Sequence, residues 1–174
     1  NSKSPTFIRY PKGTGAKVNY STTVFPLSLG KAACVREGEN IAIWALGDFV
    51  SVAEQIHHHL NSVYGIDITV VNGRFIKPLD EKLLKKHALS HNRIITLEDN
   101  VLAGGFGSAV VEFLQDSNIQ TPVSRIGWPD KFIPHGTDVD VLRRLCGLDF
   151  QGILNKVLLH LSPELNSAEL VERI

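Results

Sequence analysis

Two neighbouring acids followed by a glycine-rich turn form the most concentrated chemical motif of this chain. Residues 97–108 read LEDNVLAGGFGS, in which Glu98 and Asp99 precede the glycines and an apolar helical pattern follows them. Paired carboxylates can bind a metal ion, share a proton or stabilise the positive N-terminus of an adjoining helix. No third metal ligand lies nearby in the sequence, so we prefer the helix role, and a contact across a subunit interface stays open.

The glycines of this turn match neither common phosphate-binding motif. Gly105 and Gly107 fit the first two positions of the dinucleotide fingerprint, but Val110 stands at the third. The P-loop motif is excluded because no Gly-Lys-Ser/Thr follows. Together with Gly104 and Phe106, these glycines are predicted to let a helix begin close to a neighbouring backbone, in a packing or interface role. Direct contact with a phosphate is the alternative.

A basic turn, RYPKG at 9–13, is the second motif with a chemical use. Arg9 and Lys12 flank a Tyr-Pro pair, and two cations on a stiff turn suit an anionic group such as phosphate, with a plain solvated turn as the alternative. His135 lies in a loop with proline and glycine, where a titratable ring can serve a site. The three histidines at 57–59 cannot converge on one metal ion, because consecutive helical residues point about 100° apart. We therefore predict no metal site.

The elements that must position these motifs follow an α/β pattern. Short apolar runs that suit buried strands lie at 41–46, 68–71, 94–97 and 123–127. Helical apolar patterns separate and follow them. This alternation predicts an α/β fold of three layers, α/β/α, with a mostly parallel sheet.

The same patterns suggest how the chain is divided. Residues 1–40 lack sustained periodicity and are predicted to form a connecting arm with one strand near 31–36, whereas 41–174 form the domain. Near the end, Asp138 and Asp149 are predicted N-caps and Gly147 a helix stop.

Bulk composition excludes several classes of partner. The 174 residues suit one domain plus a flanking segment. Lys plus Arg and Asp plus Glu both number 18, so no basic field indicates nucleic acid or an anionic membrane. Cys34 and Cys146 belong to no disulfide or zinc motif, which favours a reducing compartment. The chain contains no methionine, which we interpret as the sign of a processed or excised piece.

Five motifs in a fixed order carry a resemblance to a known family. They are RYPKG (9–13), FIKPLDEKLL (75–84), TLEDNVLAGGFGS (96–108), IGWPDKFIPHGT (126–137) and LCGLDFQGI (145–153). The set resembles the C-terminal part of the 1-deoxy-D-xylulose-5-phosphate synthases, from about Phe7 to Leu161. KPLD and the glycine turn also fit transketolases and pyruvate dehydrogenase beta subunits, whereas IPHG followed by GLD favours the synthases.

The resemblance implies a homodimeric, transketolase-type transferase that depends on thiamine diphosphate and Mg²⁺. It would condense pyruvate with glyceraldehyde 3-phosphate, release CO2, and supply isoprenoid synthesis by the methylerythritol phosphate route. This chain would be the third domain with the end of the pyrimidine-binding domain, packed on the two preceding domains and on the dimer partner. It lacks the GDG motif that holds the cofactor, so no catalytic residue is expected in it and it should be inactive alone. The bacterial cytoplasm or the plastid stroma is the implied compartment.

The resemblance also assigns roles to single residues. In the family the basic turn reads RYPRG, and its second arginine approaches the substrate phosphate; Lys12 stands there instead, which keeps the charge but loses the bidentate geometry. Arg9 is the alternative ligand. We also expect an exposed apolar interface patch around Val101, Leu102 and Phe106. Two other identities stay open: the C-terminal domain of a transketolase or an oxo-acid dehydrogenase beta subunit, and a non-catalytic α/β binding module.

Overall fold

The computed structural model describes residues 5–10, 26–134 and 138–161. Its strands are β1 (Ala33–Arg36), β2 (Ile41–Ala45), β3 (Thr69–Asn72), β4 (Arg93–Val101) and β5 (Val123–Trp128). They form one sheet in the order β1-β3-β2-β4-β5. Strand β1 runs antiparallel to β3, and the other neighbouring strands are parallel. The predicted mostly parallel sheet is therefore confirmed.

Helices cover both faces of this sheet. They are α1 (Phe49–Tyr64), α2 (Glu81–Ser90), α3 (Phe106–Asp116), α4 (Val139–Leu145) and α5 (Phe150–Leu161). Helices α1 and α5 share one apolar core with the sheet, and α2 and α3 share a second core on the opposite face. The three-layer α/β/α prediction is thus confirmed.

The central strand β2 shows why its sequence is a continuous apolar run. All five of its residues are buried, because it lies between β3 and β4 with helices on both sides. Its side chains alternate between the two cores: Ile41, Ile43 and Ala45 belong to the first, and Ala42 and Trp44 to the second. Because both faces of β2 are buried, its sequence lacks the alternation of apolar and polar residues that a half-exposed strand has.

The predicted helix ends near the C-terminus are also confirmed. The Asp138 carboxylate accepts a hydrogen bond from the Asp140 backbone N–H at 2.8 Å, at the start of α4. The Asp149 carboxylate accepts one from the Gly152 backbone N–H at 3.2 Å, at the start of α5. Gly147, between the two helices, has φ 62°, a conformation that favours glycine.

Strand β1 lies inside the segment predicted as an arm, and it joins the sheet at its edge. Its edge position and antiparallel direction fit a short connection rather than a crossover helix. The predicted boundary between residues 40 and 41 stays a prediction. None of the helices in the described part of the chain is long and apolar enough to cross a membrane.

The strand order places a topological switch point between β2 and β4. From β2 the chain passes through α1 to β3 on one side, and then returns through α2 to β4 on the other side. In open parallel sheets, the crevice outside the carboxyl ends of the strands at such a point is the usual place for a ligand. The acids and glycines of residues 97–108 lie at this edge.

Candidate functional site

Glu98 lies near the carboxyl end of β4 and is only 1% exposed. Its two carboxylate oxygens accept hydrogen bonds from the backbone N–H groups of Phe106, at 2.7 Å, and Gly107, at 2.8 Å. These N–H groups belong to the first turn of α3, where no intrahelical acceptor is available. The carboxylate therefore fills the anion site that a helix N-terminus provides.

The glycines around this corner make room for the Glu98 side chain. A Cβ atom on Gly105 would overlap the Oε2 atom of Glu98 and lie 2.6 Å from the Val101 carbonyl oxygen. A Cβ on Gly107 would lie 2.5 Å from the Thr96 hydroxyl oxygen. Both contacts are too short for any residue with a side chain. The glycine turn thus allows the first amides of α3 to reach the Glu98 carboxylate.

Phe106 contradicts the expected interface patch. Its side chain is fully buried in the core between the sheet and helices α2 and α3. It stands one and two helical repeats before Val110 and Leu114, on the face of α3 that packs against the sheet. Val101 and Leu102 are only half-buried. The prediction of an exposed patch that includes Phe106 was therefore wrong.

Asp99, the next residue of β4, connects three separate segments. The indole N–H of Trp128 in β5 donates to its carboxylate at 2.5 Å. A guanidinium nitrogen of Arg143 in α4 donates to the same carboxylate at 3.2 Å. The guanidinium of Arg9 donates to the backbone carbonyl of Asp99 at 2.5 Å. Glu98 thus caps the N-terminus of α3, whereas Asp99 connects β5, α4 and the arm.

Arg143 is a residue that the sequence analysis missed. Besides Asp99, its guanidinium lies 3.9 Å from a carboxylate oxygen of Asp48, which follows β2, and 5.0 Å from the centre of the Phe49 ring. A basic residue in the last turn of a helix is already explained by the helix dipole, so nothing in the sequence marked it. Its partner Asp99 lies 44 positions earlier in the chain.

A cleft of about 530 Å³ opens at this carboxyl edge. It is lined by Arg9, by residues 99–101 at the end of β4 and by residues 128–133 after β5. Two cations, Arg9 and Lys131, face it alongside two acids, Asp99 and Asp130. The cleft therefore lies where Arg9 of the arm meets the carboxyl ends of β4 and β5.

Two of the segments that line this cleft carry exposed apolar side chains. Phe132 is fully exposed, and Phe7, Ile8 and Tyr10 of the arm are at least 80% exposed. These side chains are more exposed than those of the corner residues Val101 and Leu102, which are half-buried. The two segments that line the cleft through Arg9 and Phe132 thus carry exposed apolar side chains.

Two predicted site residues cannot be placed. Lys12 and His135 lie outside the described residues. Of the two cations of the basic turn, the structure brings Arg9 to the cleft.

The described residues do not fit thiamine diphosphate or Mg²⁺. Within the described ranges, no three His, Cys, Asp or Glu side chains group so that they could hold a metal ion. The amides that begin α3 are bound by Glu98 and are not free for a diphosphate. We therefore derive no chemical step through either group.

Two histidines outside this edge, His57 and His87, are buried and pack within the fold. His57, the first of the three consecutive histidines, is buried and its Nδ1 lies 2.9 Å from the Ile68 carbonyl oxygen. His87 in α2 packs edge-on against Trp44, with ring centres 5.6 Å apart. Burial, with nearby His91 and Lys86, lowers the pKa of His87 to about 4. His87 is therefore neutral at pH 7 in the folded domain.

The chain is similar to known proteins over most of its length. Residues 30–153 match the family model "Transketolase, C-terminal domain". The 1-deoxy-D-xylulose-5-phosphate synthase of Acidobacterium capsulatum is 45% identical over 158 residues, which are 91% of this chain and 25% of that protein. The synthase of Caldanaerobacter subterraneus subsp. tengcongensis is 45% identical over 159 residues, with the same coverage of 91% and 25%. The chain spans about a quarter of the length of these curated relatives.

Among solved structures, a split-gene transketolase described as an inactive beta4 tetramer matches with a TM-score of 0.70. It is 29% identical, and the match covers 79% of this chain and 44% of that one. The resemblance to the C-terminal part of the synthases, predicted from five motifs, is confirmed. With the family model matched over most of the chain and the three-layer fold in place, this chain belongs to the transketolase C-terminal domain family.

Proposed function

We propose that this chain is the C-terminal domain of a 1-deoxy-D-xylulose-5-phosphate synthase. The parent enzyme would be a transferase that joins pyruvate to glyceraldehyde 3-phosphate with release of CO2, for isoprenoid synthesis by the methylerythritol phosphate route. The proposal is supported by 45% identity to two such synthases across 91% of the chain. Because the relatives are bacterial, we favour the bacterial cytoplasm over the plastid stroma as its compartment.

The parent is proposed to be a homodimer that depends on thiamine diphosphate and Mg²⁺. Carbanion chemistry of this type belongs to the cofactor, and the protein supplies binding and orientation. Since the described residues do not fit the cofactor, we assign no catalytic residue to this domain and expect it to be inactive alone. Its partners would be the two preceding domains and the second subunit.

The role we propose for this domain is to hold the phosphate of the aldehyde substrate near the carboxyl-edge cleft. The observation that carries it is the hydrogen bond from Arg9 to the Asp99 carbonyl. This contact fixes the start of the basic turn beside the cleft. Lys12 follows Arg9 by three residues in the sequence. Because a nitrogen of Arg9 is engaged by Asp99, we propose Lys12 as the phosphate ligand and Arg9 as the anchor of the turn.

A product assay on the full-length parent tests the proposed reaction. Pyruvate and glyceraldehyde 3-phosphate should yield CO2 and 1-deoxy-D-xylulose 5-phosphate, detected by NMR with labelled pyruvate. A parent that instead transfers a two-carbon unit from a ketose phosphate, without releasing CO2, would be a transketolase. A parent with no turnover of either pair would support the non-catalytic binding module.

Kinetics of Lys12→Ala in the full-length parent test the phosphate contact. Loss of one charge-assisted hydrogen bond should weaken binding of the aldehyde phosphate by about 1.5–3 kcal/mol, or roughly 10- to 150-fold. Pyruvate has no phosphate, so its KM should change little. Lys12→Arg is the matched control and should keep most of the activity, because a guanidinium also binds phosphate. Equal effects on both substrates would contradict the assignment.

A further inference from the structure

The crevice at the switch point of this sheet is filled by a side chain of the domain itself. Arg143 reaches the Asp48 carboxylate, after β2, and the Asp99 carboxylate, in β4, at 3.9 Å and 3.2 Å. These two strands are the neighbours between which the chain order reverses. A guanidinium between two acids therefore occupies the position where folds of this type usually bind a ligand.

Arg143 is also the main polar attachment of a weakly packed helix. Helix α4 has seven residues and none of them is buried, so burial of apolar surface contributes little to holding it. The Arg143 side chain, by contrast, is only 18% exposed and packs over the ring of Phe49. Its contacts thus tie α4 to the carboxyl edge.

The Asp99 residue links this attachment to the arm. Its carboxylate is held by Arg143 and by Trp128, while its own carbonyl oxygen accepts the hydrogen bond from Arg9. The carboxylate that binds Arg143 and the carbonyl that binds Arg9 thus belong to one residue. Arg143 also compensates the charge of a carboxylate that would otherwise attract the Arg9 guanidinium.

We propose that Arg143 is a positioning residue that acts through Asp99 to hold Arg9, the first residue of the basic turn, at the cleft. This inference rests on the proposed function, because it assigns the turn to the substrate phosphate. Without Arg143, the uncompensated Asp99 carboxylate competes for Arg9 and repels a phosphate nearby. Arg143 therefore acts on recognition of the phosphorylated substrate and not on the reaction of pyruvate.

Arg143→Gln in the full-length enzyme tests this proposal. We expect the KM for glyceraldehyde 3-phosphate to rise roughly 3- to 10-fold, with the KM for pyruvate unchanged. Arg143→Lys should recover at least half of that loss, because it restores the charge. The matched control is Arg144→Gln, which removes the same charge from the exposed neighbouring residue of α4 and should leave both KM values unchanged.

A double-mutant cycle with Asp99→Asn tests whether the effect passes through Asp99. The asparagine carbonyl still accepts the Trp128 hydrogen bond, but there is no charge left to compensate. Arg143→Gln should then change the aldehyde KM by less than 2-fold in the Asp99→Asn background. Equal losses for both substrates, an additive cycle, or no effect of Arg143→Gln would overturn the proposal. If the wild-type enzyme does not use the phosphorylated aldehyde at all, the proposed function fails instead.

Discussion

Two adjacent acids of β4 have opposite surroundings. Glu98 is 1% exposed, and both of its oxygens are bound by backbone amides of α3. The Asp99 side chain is 36% exposed and is bound by side chains from β5 and α4, next to an open cleft. Successive residues of a strand point to opposite faces, so one acid enters a closed corner and the other faces the surface.

This difference separates a structural region from a functional one at the same edge of the sheet. Backbone amides at fixed positions leave the Glu98 corner no freedom to accept a ligand. The Asp99 region is built from side chains and from the exposed residues 5–10, so it offers groups that a substrate or a neighbouring domain can contact. We therefore attribute stability to the Glu98 corner and substrate recognition to the Asp99 cleft.

The largest expected effect separates the buried aromatic residue of the corner from the exposed one of the cleft. Phe106→Glu places a charge in an apolar core, and we expect a loss of more than about 4 kcal/mol in the free energy of unfolding, enough to unfold the domain. Phe132→Glu, at a fully exposed position, should cost less than about 0.5 kcal/mol. Urea denaturation of the two variants measures both values. Similar losses would contradict the assignment of Phe106 to the core.

The next effect tests Glu98 itself. Glu98→Ala leaves two buried amides of α3 without an acceptor, and we expect a loss of about 2–4 kcal/mol. Glu98→Gln keeps one acceptor oxygen but turns an amide donor toward the helix, so its loss should be intermediate. Thermal melting at pH 7 ranks the variants. A Glu98→Ala domain as stable as the wild type would show that the corner is not structural.

Features that depend on neighbouring residues in the sequence could be predicted, whereas contacts between distant residues could not. The strands β2 to β5, the helices and the caps at Asp138 and Asp149 follow from local periodicity and turn chemistry. Even the burial of Phe106 was readable, because its spacing to Val110 and Leu114 already placed it on the apolar face of α3. The expected surface patch ignored that spacing.

The contacts of the two acids were less accessible from the sequence. Pairing Glu98 with the helix that follows it was one of several interpretations, and its hydrogen bonds to the Phe106 and Gly107 amides distinguish it from the others. The convergence of Arg9, Trp128 and Arg143 on Asp99 depends on strand order. Residues far apart in sequence meet there only because β4 lies between β2 and β5.

A pH effect on stability is expected from His87, a buried histidine away from the two acids. In the folded domain the pKa of His87 is about 4, against an ordinary value of 6.5. The unfolded chain therefore binds the proton more readily, and stability falls as the pH falls from about 6.5 to about 4. We expect this residue to contribute about 2–3 kcal/mol of that loss.

Urea denaturation between pH 7 and pH 4 measures this contribution. His87→Phe keeps an aromatic ring against Trp44 but cannot titrate, so its stability should depend less steeply on pH. His58→Gln, at an exposed histidine, is the matched control and should follow the wild type. An unchanged slope for His87→Phe would mean that His87 does not carry the acid sensitivity.

Arg9 is expected to have only a small effect on stability, and its kinetics provide the most direct test of the account. Arg9→Ala removes an exposed hydrogen bond and should change stability by no more than about 1 kcal/mol. In the full-length enzyme, steady-state kinetics with each substrate varied separately should show a KM for glyceraldehyde 3-phosphate raised roughly 3- to 10-fold and an unchanged KM for pyruvate. A rise in both KM values by the same factor, or no change in either, would contradict the assignment of the Asp99 cleft to recognition of the phosphorylated substrate.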